Sequence, residues 1–277
     1  MILSKIPPHI IALDLDGTLL TDDKTVDSIT KRYLRKLEKL GHIIVIATGR
    51  PQRAIFRYYE DIGLHSPFIC YNGACVTSPH DQSFANRHFA FPKDVVKDIY
   101  NFVGRSHIEN VMCETNRNIW LLDEDEDLAD FFWHENMNII YGDLNETLDE
   151  DPMTMIIKSV QRTDEDDQRL IDAVKRHEHL QIRFWSRSQF SEIYYDYISK
   201  GHALLDIAVF YKIPKERVLA FGDAENDIEM LTMAGVGFGM QNGVDHIKKT
   251  ATYVTEFSNN EEGIYHALRR YFRNYRG

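Results

Sequence analysis

The sequence predicts an α/β protein built on a doubly wound, mostly parallel sheet of the Rossmann type, with a smaller α+β domain inserted into it. Near-continuous apolar runs recur in the first and last thirds of the chain, and segments of helical periodicity separate them. Such runs are typical of parallel strands that helices cover on both faces. The middle of the chain instead has alternating patterns and charge-dense helical stretches. We therefore expect a discontinuous core over residues 1–81 and 197–277 and an inserted α+β domain over residues 82–196.

The first third of the chain alternates strand and helix patterns. "HIIALDL", which starts at His9, and "HIIVIATG" are apolar runs that predict two buried strands. Apolar residues at helical spacing predict a helix over Thr25–Leu40 that Gly41 ends, and a second helix runs from about Pro51 to Ile62. "PFICYNGACV" predicts a third strand-like segment, which is broken at Asn72-Gly73.

The last third repeats this alternation. "KGHALLDIAVFYKI" and "AENDIEMLTMA" have helical patterns, whereas "RVLAFGD" and "GVGFGM" predict strands. A closing helix is expected from about Asn260. Alternating segments such as "NIWLLDE" and "FSEIYYDY" predict the half-buried strands of the inserted domain.

Composition narrows the range of partners and compartments. The 277 residues include 43 Asp and Glu against 32 Lys and Arg, for a net charge of −11, which disfavours nucleic acid and anionic membranes as partners. No run approaches the roughly 18 apolar residues of a membrane span. Three cysteines without a CxxC pair are typical of a reduced compartment, so we expect a soluble, cytoplasmic protein; the oligomeric state is not predicted.

Four polar clusters follow predicted core strands or open a core helix. They are Asp14 with Asp16; Thr48-Gly49-Arg50; Ser199-Lys200-Gly201; and Gly222-Asp223 with Asn226-Asp227. Ligands of doubly wound sheets bind outside the carboxyl ends of the strands, where three of these clusters would meet. Carboxylates suit Mg²⁺ together with a substrate phosphate, and a lysine and a hydroxyl can hold phosphoryl oxygens. The clusters therefore predict a site for a small phosphorylated ligand.

Each cluster also has a simpler structural explanation. Asp16-Gly17 is a common turn dipeptide, and Gly49 and Gly73 suit tight turns as well. Arg50 is open between a phosphate contact and a structural salt bridge. Asp22 and Asp23 are expected to be solvent-exposed loop residues.

"DLDGTLL", "ATGR", "SKG" and "GDAENDIEM", in this order, resemble the four motifs of the haloacid dehalogenase-like hydrolases. The position and length of the insert, together with "YNGA" and "SNNEEGIYHAL", resemble the Cof-type subfamily of sugar-phosphate and nucleotide phosphatases, which carry an α/β cap there. One departure is "YYDYISKG", which stands where the subfamily usually has a Pro-x-Gly-like segment. This linker, Tyr194–Tyr197, does not affect the four motifs.

The resemblance implies a role for each matching residue. Asp14 would be the nucleophile that forms an aspartyl-phosphate, and Asp16 the general acid and then the general base. Mg²⁺ would be bound by Asp14, by the backbone carbonyl of Asp16 and by Asp223. Thr48 and Lys200 would act as catalytic residues that hold the phosphoryl group. The implied phosphate-binding set is Thr48, Gly49, Lys200 and Asn226, with Asp227 behind it to orient Lys200 or a metal-bound water.

The expected activity is Mg²⁺-dependent hydrolysis of small phosphate monoesters, with a mobile cap that closes over the site. A phosphomutase, which would return the phosphoryl group to a sugar, is one alternative. A non-catalytic sensor of a phosphorylated metabolite is another, although a sensor has no need of an acid/base at Asp16. The substrate itself is not predicted, because specificity is expected to lie in the cap.

Overall fold

The structure is a computed structural model that describes residues 6–131, 137–185 and 188–275. Its strands are β1 (Ile10–Leu13), β2 (Ile43–Ile46), β3 (Phe68–Cys70), β4 (Cys75–Thr77), β5 (Arg87–His88), β6 (Ile108–Glu114), β7 (Asn118–Leu121), β8 (Asn138–Tyr141), β9 (Thr154–Ser159), β10 (Leu180–Phe184), β11 (Phe190–Tyr195), β12 (Val218–Gly222), β13 (Val236–Gly239) and β14 (Tyr253–Val254). Its helices are α1 (Ser28–Lys39), α2 (Gln52–Ile62), α3 (Lys93–Val103), α4 (Glu126–Phe131), α5 (Leu144–Thr147), α6 (Asp164–Lys175), α7 (Lys200–Phe210), α8 (Ile228–Met233), α9 (Asp245–Thr250) and α10 (Gly263–Asn274).

The chain divides into two compact units. The first contains residues 1–50, 55–87 and 199–277, and the second contains residues 51–54 and 88–198. None of the helices in the described ranges combines the length and the apolar character that crossing a bilayer requires.

The first unit is built on a five-stranded parallel sheet in the order β14-β13-β12-β1-β2. Ile10 and Ala12 of β1 belong to an apolar cluster with Leu204 of α7 and Met230 of α8. The alternate β1 residues, such as Leu13, are also fully buried. Both faces of β1 are therefore covered, which is why its sequence is continuously apolar. This architecture confirms the predicted fold class.

Three elements of the first unit differ from the sequence expectation. Helix α1 begins at Ser28 instead of Thr25, because the Asp27 side chain caps it by accepting the N–H groups of Ile29 and Thr30. "PFICYNGACV" forms an antiparallel pair, β3 and β4, that adjoins the parallel sheet through one bridge between Ala47 and Ile69. The closing helix begins only at Gly263, after a 3₁₀ turn at Asn259–Glu261.

The second unit is built on a six-stranded sheet in the order β10-β11-β9-β6-β7-β8. All of its strand pairs are antiparallel except β7 with β8. Helices α3, α5 and α6 pack on one face of this sheet through apolar residues such as Ile99 and Leu170. In the linker that the sequence analysis singled out, Tyr195 stacks on both Phe91 and Tyr197, at ring-centroid distances of 5.0 and 5.1 Å.

A buried pair of histidines, His9 and His42, directly precedes β1 and β2. The His9 N–H donates to Nδ1 of His42 over 3.1 Å, and His42 is 1% exposed. Burial, with a smaller contribution from His9, lowers the pKa of His42 to about 4. The unfolded chain therefore takes up a proton near pH 6.5, whereas the folded chain does so only near pH 4.

We expect His42 to make the free energy of unfolding fall by about 3 kcal/mol as the pH drops from 6.5 to 4, with no further loss below pH 4. Denaturant titrations at several pH values, on the wild type and on His42→Leu, measure this difference. The variant is expected to be less stable at pH 7 and less sensitive to acid over this interval. If the free energy of unfolding depended on pH equally in the two proteins, His42 would not be the source of the acid sensitivity.

Candidate active site

The four polar clusters of the sequence analysis meet within the first unit. Asp14 directly follows β1, and its N–H donates to the carbonyl of Phe221 in β12 over 3.0 Å. Asp223 directly follows β12 and Thr48 lies two residues after the end of β2, and these two strands flank β1. Because these three strands are parallel, their following residues share one edge of the sheet. The expected juxtaposition of the three strand-end clusters is present.

Lys200 joins this edge from the first turn of α7. Ser199 caps the helix by accepting the His202 N–H, so Lys200 is the first residue of the helix. The Lys200 side chain is fully buried, and its Nζ donates to Oδ1 of Asp14 over 2.6 Å and to Oδ1 of Asp227 over 2.7 Å. These two carboxylates outweigh the desolvation of the amine, so the pKa of Lys200 is raised. Lys200 therefore remains a cation beside Asp14.

The carboxylates around Lys200 carry more charge than the lysine balances. Oxygens of Asp14, Asp223 and Asp227 lie within 4.8 Å of one another. With all three carboxylates ionised beside the Lys200 cation, the cluster has a formal charge of −2. Burial, and then the charge of Asp227, raise the pKa of Asp14 above its usual range and that of Asp223 to about 6. A buried excess of two negative charges on hard oxygen ligands fits a divalent cation such as Mg²⁺.

Asp227 is already engaged on both oxygens. Its Oδ1 accepts from Lys200, and its Oδ2 accepts the N–H groups of Asp223 and Ala224 over 2.9 and 3.1 Å. We therefore regard the carboxylates of Asp14 and Asp223 as the better metal ligands. The contacts of Asp227 match the orienting role toward Lys200 that the family resemblance implies.

Asp16 faces a different set of partners. Arg50 donates from Nε to Oδ2 and from Nη2 to Oδ1 of Asp16, both over 2.6 Å, and Nζ of Lys24 donates to Oδ1 over 2.7 Å. Burial opposes ionisation of Asp16, but the hydrogen bonds and charges of Arg50 and then Lys24 prevail and lower its pKa. In the structure Arg50 therefore forms a salt bridge, which is one of the two roles that the sequence left open for it.

Asn72, for which the sequence predicts only a turn, contacts Thr48, Gly49 and Asn226. Asn72 accepts from Nδ2 of Asn226 over 2.9 Å, and its N–H donates to the carbonyl of Thr48 over 3.1 Å. A Cβ on Gly49 would lie 3.1 Å from Oδ1 of Asn72. Asn72 therefore connects the second and fourth motifs, through its backbone N–H and its carboxamide respectively.

The backbone at this turn has an uncommon conformation. Tyr71, Asn72 and Gly73 have φ angles of 48°, 52° and 107°. A Cβ on Gly73 would stand 2.4 Å from the carbonyl oxygen of Ser199, which allows the turn to pack against the start of α7. The only sequence signal for this arrangement was the Asn-Gly dipeptide, which predicts a turn but not its contacts.

Asparagines near the C-terminus hold the loop that follows Asp14. Nδ2 of Asn242 donates to the carbonyl of Gly17 over 2.7 Å, and Nδ2 of Asn259 donates to that of Leu20 over 2.9 Å. Asn260 exchanges two hydrogen bonds with Asp22, each over less than 3 Å. Asp22 is exposed, as expected, but it fixes the loop instead of only facing solvent. The "SNNEEG" segment thereby acquires a structural function.

A family model described as haloacid dehalogenase-like hydrolase matches residues 11–268 of this chain. The chain belongs to this family. The match confirms the resemblance carried by the four motifs, and it makes the protein an enzyme of a hydrolase family.

Named relatives of this haloacid dehalogenase-like hydrolase are phosphatases. It is 37% identical to the 5-amino-6-(5-phospho-D-ribitylamino)uracil phosphatase YitU of Bacillus subtilis, over 96% of this chain and 98% of the relative. It is 28% identical to the pyridoxal phosphate phosphatase YbhA of Escherichia coli, over 89% of this chain and 92% of the relative. A solved haloacid dehalogenase-like hydrolase from Bacteroides thetaiotaomicron superimposes with a TM-score of 0.77 at 23% identity, over 95% and 99% of the two chains, and so shares the fold.

Proposed function

We propose that this enzyme is a Mg²⁺-dependent phosphatase that hydrolyses small phosphate monoesters through an aspartyl-phosphate. The observation that carries the proposal is the placement of Asp14 against the buried Lys200, beside Asp223. A buried carboxylate with a fixed cation next to it can approach an anionic phosphoryl group that a carboxylate alone would repel. Asp16 stands two residues further on and supplies a second carboxyl group for proton transfer.

In the first half of the proposed reaction, an oxygen of Asp14 attacks phosphorus while the bond from phosphorus to the ester oxygen breaks. The proton of Asp16 moves to that ester oxygen, so the leaving group departs as a neutral alcohol. Lys200 and the Thr48 hydroxyl bind phosphoryl oxygens as negative charge redistributes over them. Gly49 and Asn226 complete the proposed phosphate-binding set.

In the second half, water attacks the phosphorus of the aspartyl-phosphate, and the bond to the Asp14 oxygen breaks. The Asp16 carboxylate accepts a proton from that water, which restores both aspartates and releases inorganic phosphate. The side chains of Asp14 and Asp223 and the backbone carbonyl of Asp16 would hold Mg²⁺. When bound, the ion supplies positive charge that neutralises the phosphoryl group and the excess carboxylate charge.

The substrate is proposed from the relatives. Because the most similar relative described above is a 5-amino-6-(5-phospho-D-ribitylamino)uracil phosphatase, that compound is the first substrate to test. We expect the inserted residues 82–196 to form the cap that recognises the leaving group. The cytoplasmic location expected from the cysteine content stays a prediction.

Phosphate release from a panel of compounds tests the proposal. The panel contains the ribitylaminouracil phosphate, pyridoxal phosphate, sugar phosphates, nucleotides and 4-nitrophenyl phosphate, each assayed with Mg²⁺ and with excess chelator. We expect hydrolysis that requires Mg²⁺. An enzyme that is inert toward the whole panel with Mg²⁺ would refute the proposal, and an isomerised ester with little free phosphate would indicate a mutase.

Gly17 provides a further prediction about the metal site. It has a φ of +73°, and a Cβ there would lie 2.4 Å from Oδ2 of Asp223. We therefore expect Gly17→Ala to displace Asp223 and to raise the Mg²⁺ concentration for half-maximal activity by about 10- to 100-fold. Titration of activity with Mg²⁺ measures the change.

Gly41→Ala is the matched control for this substitution. Gly41 has a similar φ of +91°, but nothing lies within 4 Å of the position of its Cβ. This variant carries the backbone strain of a left-handed alanine, about 1–2 kcal/mol, without the contact. Equal shifts in Mg²⁺ requirement for the two variants would show that the contact with Asp223 is irrelevant.

A further inference from the structure

The carboxyl group of Asp16 is held by a planar fork. Nε and Nη2 of Arg50 each donate to a different oxygen of Asp16, so the contact is bidentate. The Arg50 side chain is 14% exposed, whereas that of Asp16 is 39% exposed. Arg50 is therefore the more firmly enclosed member of the pair, and it limits the rotation of the aspartate.

Arg50 is itself anchored to the segment that carries the proposed phosphate-binding threonine. Its N–H donates to Oγ1 of Thr48 over 3.2 Å, and its carbonyl accepts the N–H of Tyr71 over 3.2 Å. A partly exposed ion pair adds at most about 1 kcal/mol to the free energy of unfolding. Stabilisation of the fold is therefore a weak explanation for this bidentate contact. The contact does, however, set the direction of Asp16 relative to Thr48.

We propose that Arg50 is a positioning residue that aims the Asp16 carboxyl group at the leaving-group oxygen. The inference rests on the proposed function, since it assumes that Asp16 transfers a proton to the ester. Oδ1 of Asp16 already accepts two hydrogen bonds, from Arg50 and Lys24, whereas Oδ2 accepts one. A carboxylate oxygen has two lone pairs, so Oδ2 is the atom that carries the transferred proton.

The same fork assists the transfer itself. As the proton leaves Oδ2 for the ester oxygen, the bond from phosphorus to that oxygen breaks and Asp16 becomes a carboxylate. The two N–H groups of Arg50 bind this carboxylate through charge-assisted hydrogen bonds. Arg50 therefore matters most when the departing oxygen is strongly basic and needs the proton.

Two aryl esters that differ mainly in leaving-group basicity test this inference. Phenyl phosphate releases a basic phenolate that needs protonation, whereas 4-nitrophenyl phosphate releases a stable anion that does not. With Mg²⁺ present, we expect Arg50→Gln to lower kcat/KM about 100-fold for phenyl phosphate and less than about threefold for 4-nitrophenyl phosphate. Arg50→Lys keeps the charge but not the fork, so we expect the same selective loss.

Further variants separate positioning from folding and from phosphate binding. Asp16→Asn should show the same selectivity, and Asp16→Asn combined with Arg50→Gln should be no worse than Asp16→Asn alone. Lys31→Gln is the control, because it breaks an ion pair with Asp61 that joins α1 and α2. It should leave kcat/KM unchanged for both esters. Thermal unfolding of each variant verifies that the fold is intact.

Several results would overturn the inference while leaving the proposed function in place. One is an equal loss on both esters, which would make Arg50 a phosphate ligand. Others are wild-type rates in Arg50→Gln or Arg50→Lys, or additive losses in the double variant. A wild-type enzyme that hydrolyses neither ester nor any panel compound would refute the proposed function itself.

Discussion

Asp14→Asn is expected to lower the rate of phosphate release by at least about 10³-fold with every substrate, because the amide cannot form the covalent intermediate. The substitution is nearly isosteric, and it removes one of three neighbouring carboxyl groups that only one lysine, Lys200, offsets. We therefore expect the metal-free variant to be at least as stable as the wild type. Phosphate-release assays and thermal unfolding measure the two properties.

Asp23→Asn makes the same chemical change in the exposed loop nine residues further on, and it should retain full activity. Acid quenching during turnover should trap one phosphoryl group on the wild type, detected by mass spectrometry, and none on Asp14→Asn. The introduced asparagine can deamidate back to aspartate, so the variant's rate is corrected for any wild-type enzyme formed in this way. If Asp14→Asn then retained more than a tenth of the wild-type rate, Asp14 would not be the nucleophile.

Lys200→Met is expected to be severely destabilising as well as inactive. It leaves Asp14 and Asp227 buried without the cation that now lies within 2.7 Å of both. Removal of one partner from a buried ion pair costs about 3–5 kcal/mol. We expect a loss of that size in the free energy of unfolding at pH 7 without Mg²⁺, measured by denaturant titration.

A second substitution distinguishes the structural effect from the catalytic one. Lys200→Met combined with Asp227→Asn removes one of the two uncompensated charges, so it should regain much of the stability but none of the activity. Lys31→Met breaks an exposed pair and should change stability by less than about 1 kcal/mol. A loss below 1 kcal/mol in Lys200→Met would mean that the buried pair contributes little to the fold.

Much of the core and the candidate site was predictable, because each of their signals is local. A continuous apolar run predicts a covered parallel strand, and a polar residue at its end predicts a place at the ligand-binding edge. That reasoning located Asp14, Thr48 and Asp223. Lys200 was identified differently: it opens a predicted helix in "SKG", the stretch that resembles the third family motif, and two carboxylates lie within 2.7 Å of it.

What the sequence could not provide are contacts that depend on side-chain direction. Arg50 follows Thr48 and Gly49, so a phosphate contact and a salt bridge were equally compatible with its position. Only the fold shows that its guanidinium lies against Asp16. Asn72 was missed because an Asn-Gly pair predicts the turn alone, and the bond to Asn226 spans 154 positions.

The separation between Asp14 and its counter-charge has a consequence for synthesis of the chain. Lys200 lies 186 positions after Asp14, and the hydrogen bond from Thr18 to Asp223 spans 205 positions. At about 5–20 residues per second, a ribosome needs on the order of 10 to 40 s to cover that distance. During this interval β1 lacks its partner β12, so the nascent strand has one unpaired apolar edge. We expect the Asp14 carboxylate to stay hydrated until Lys200 emerges, so that its burial is delayed until its charge can be compensated.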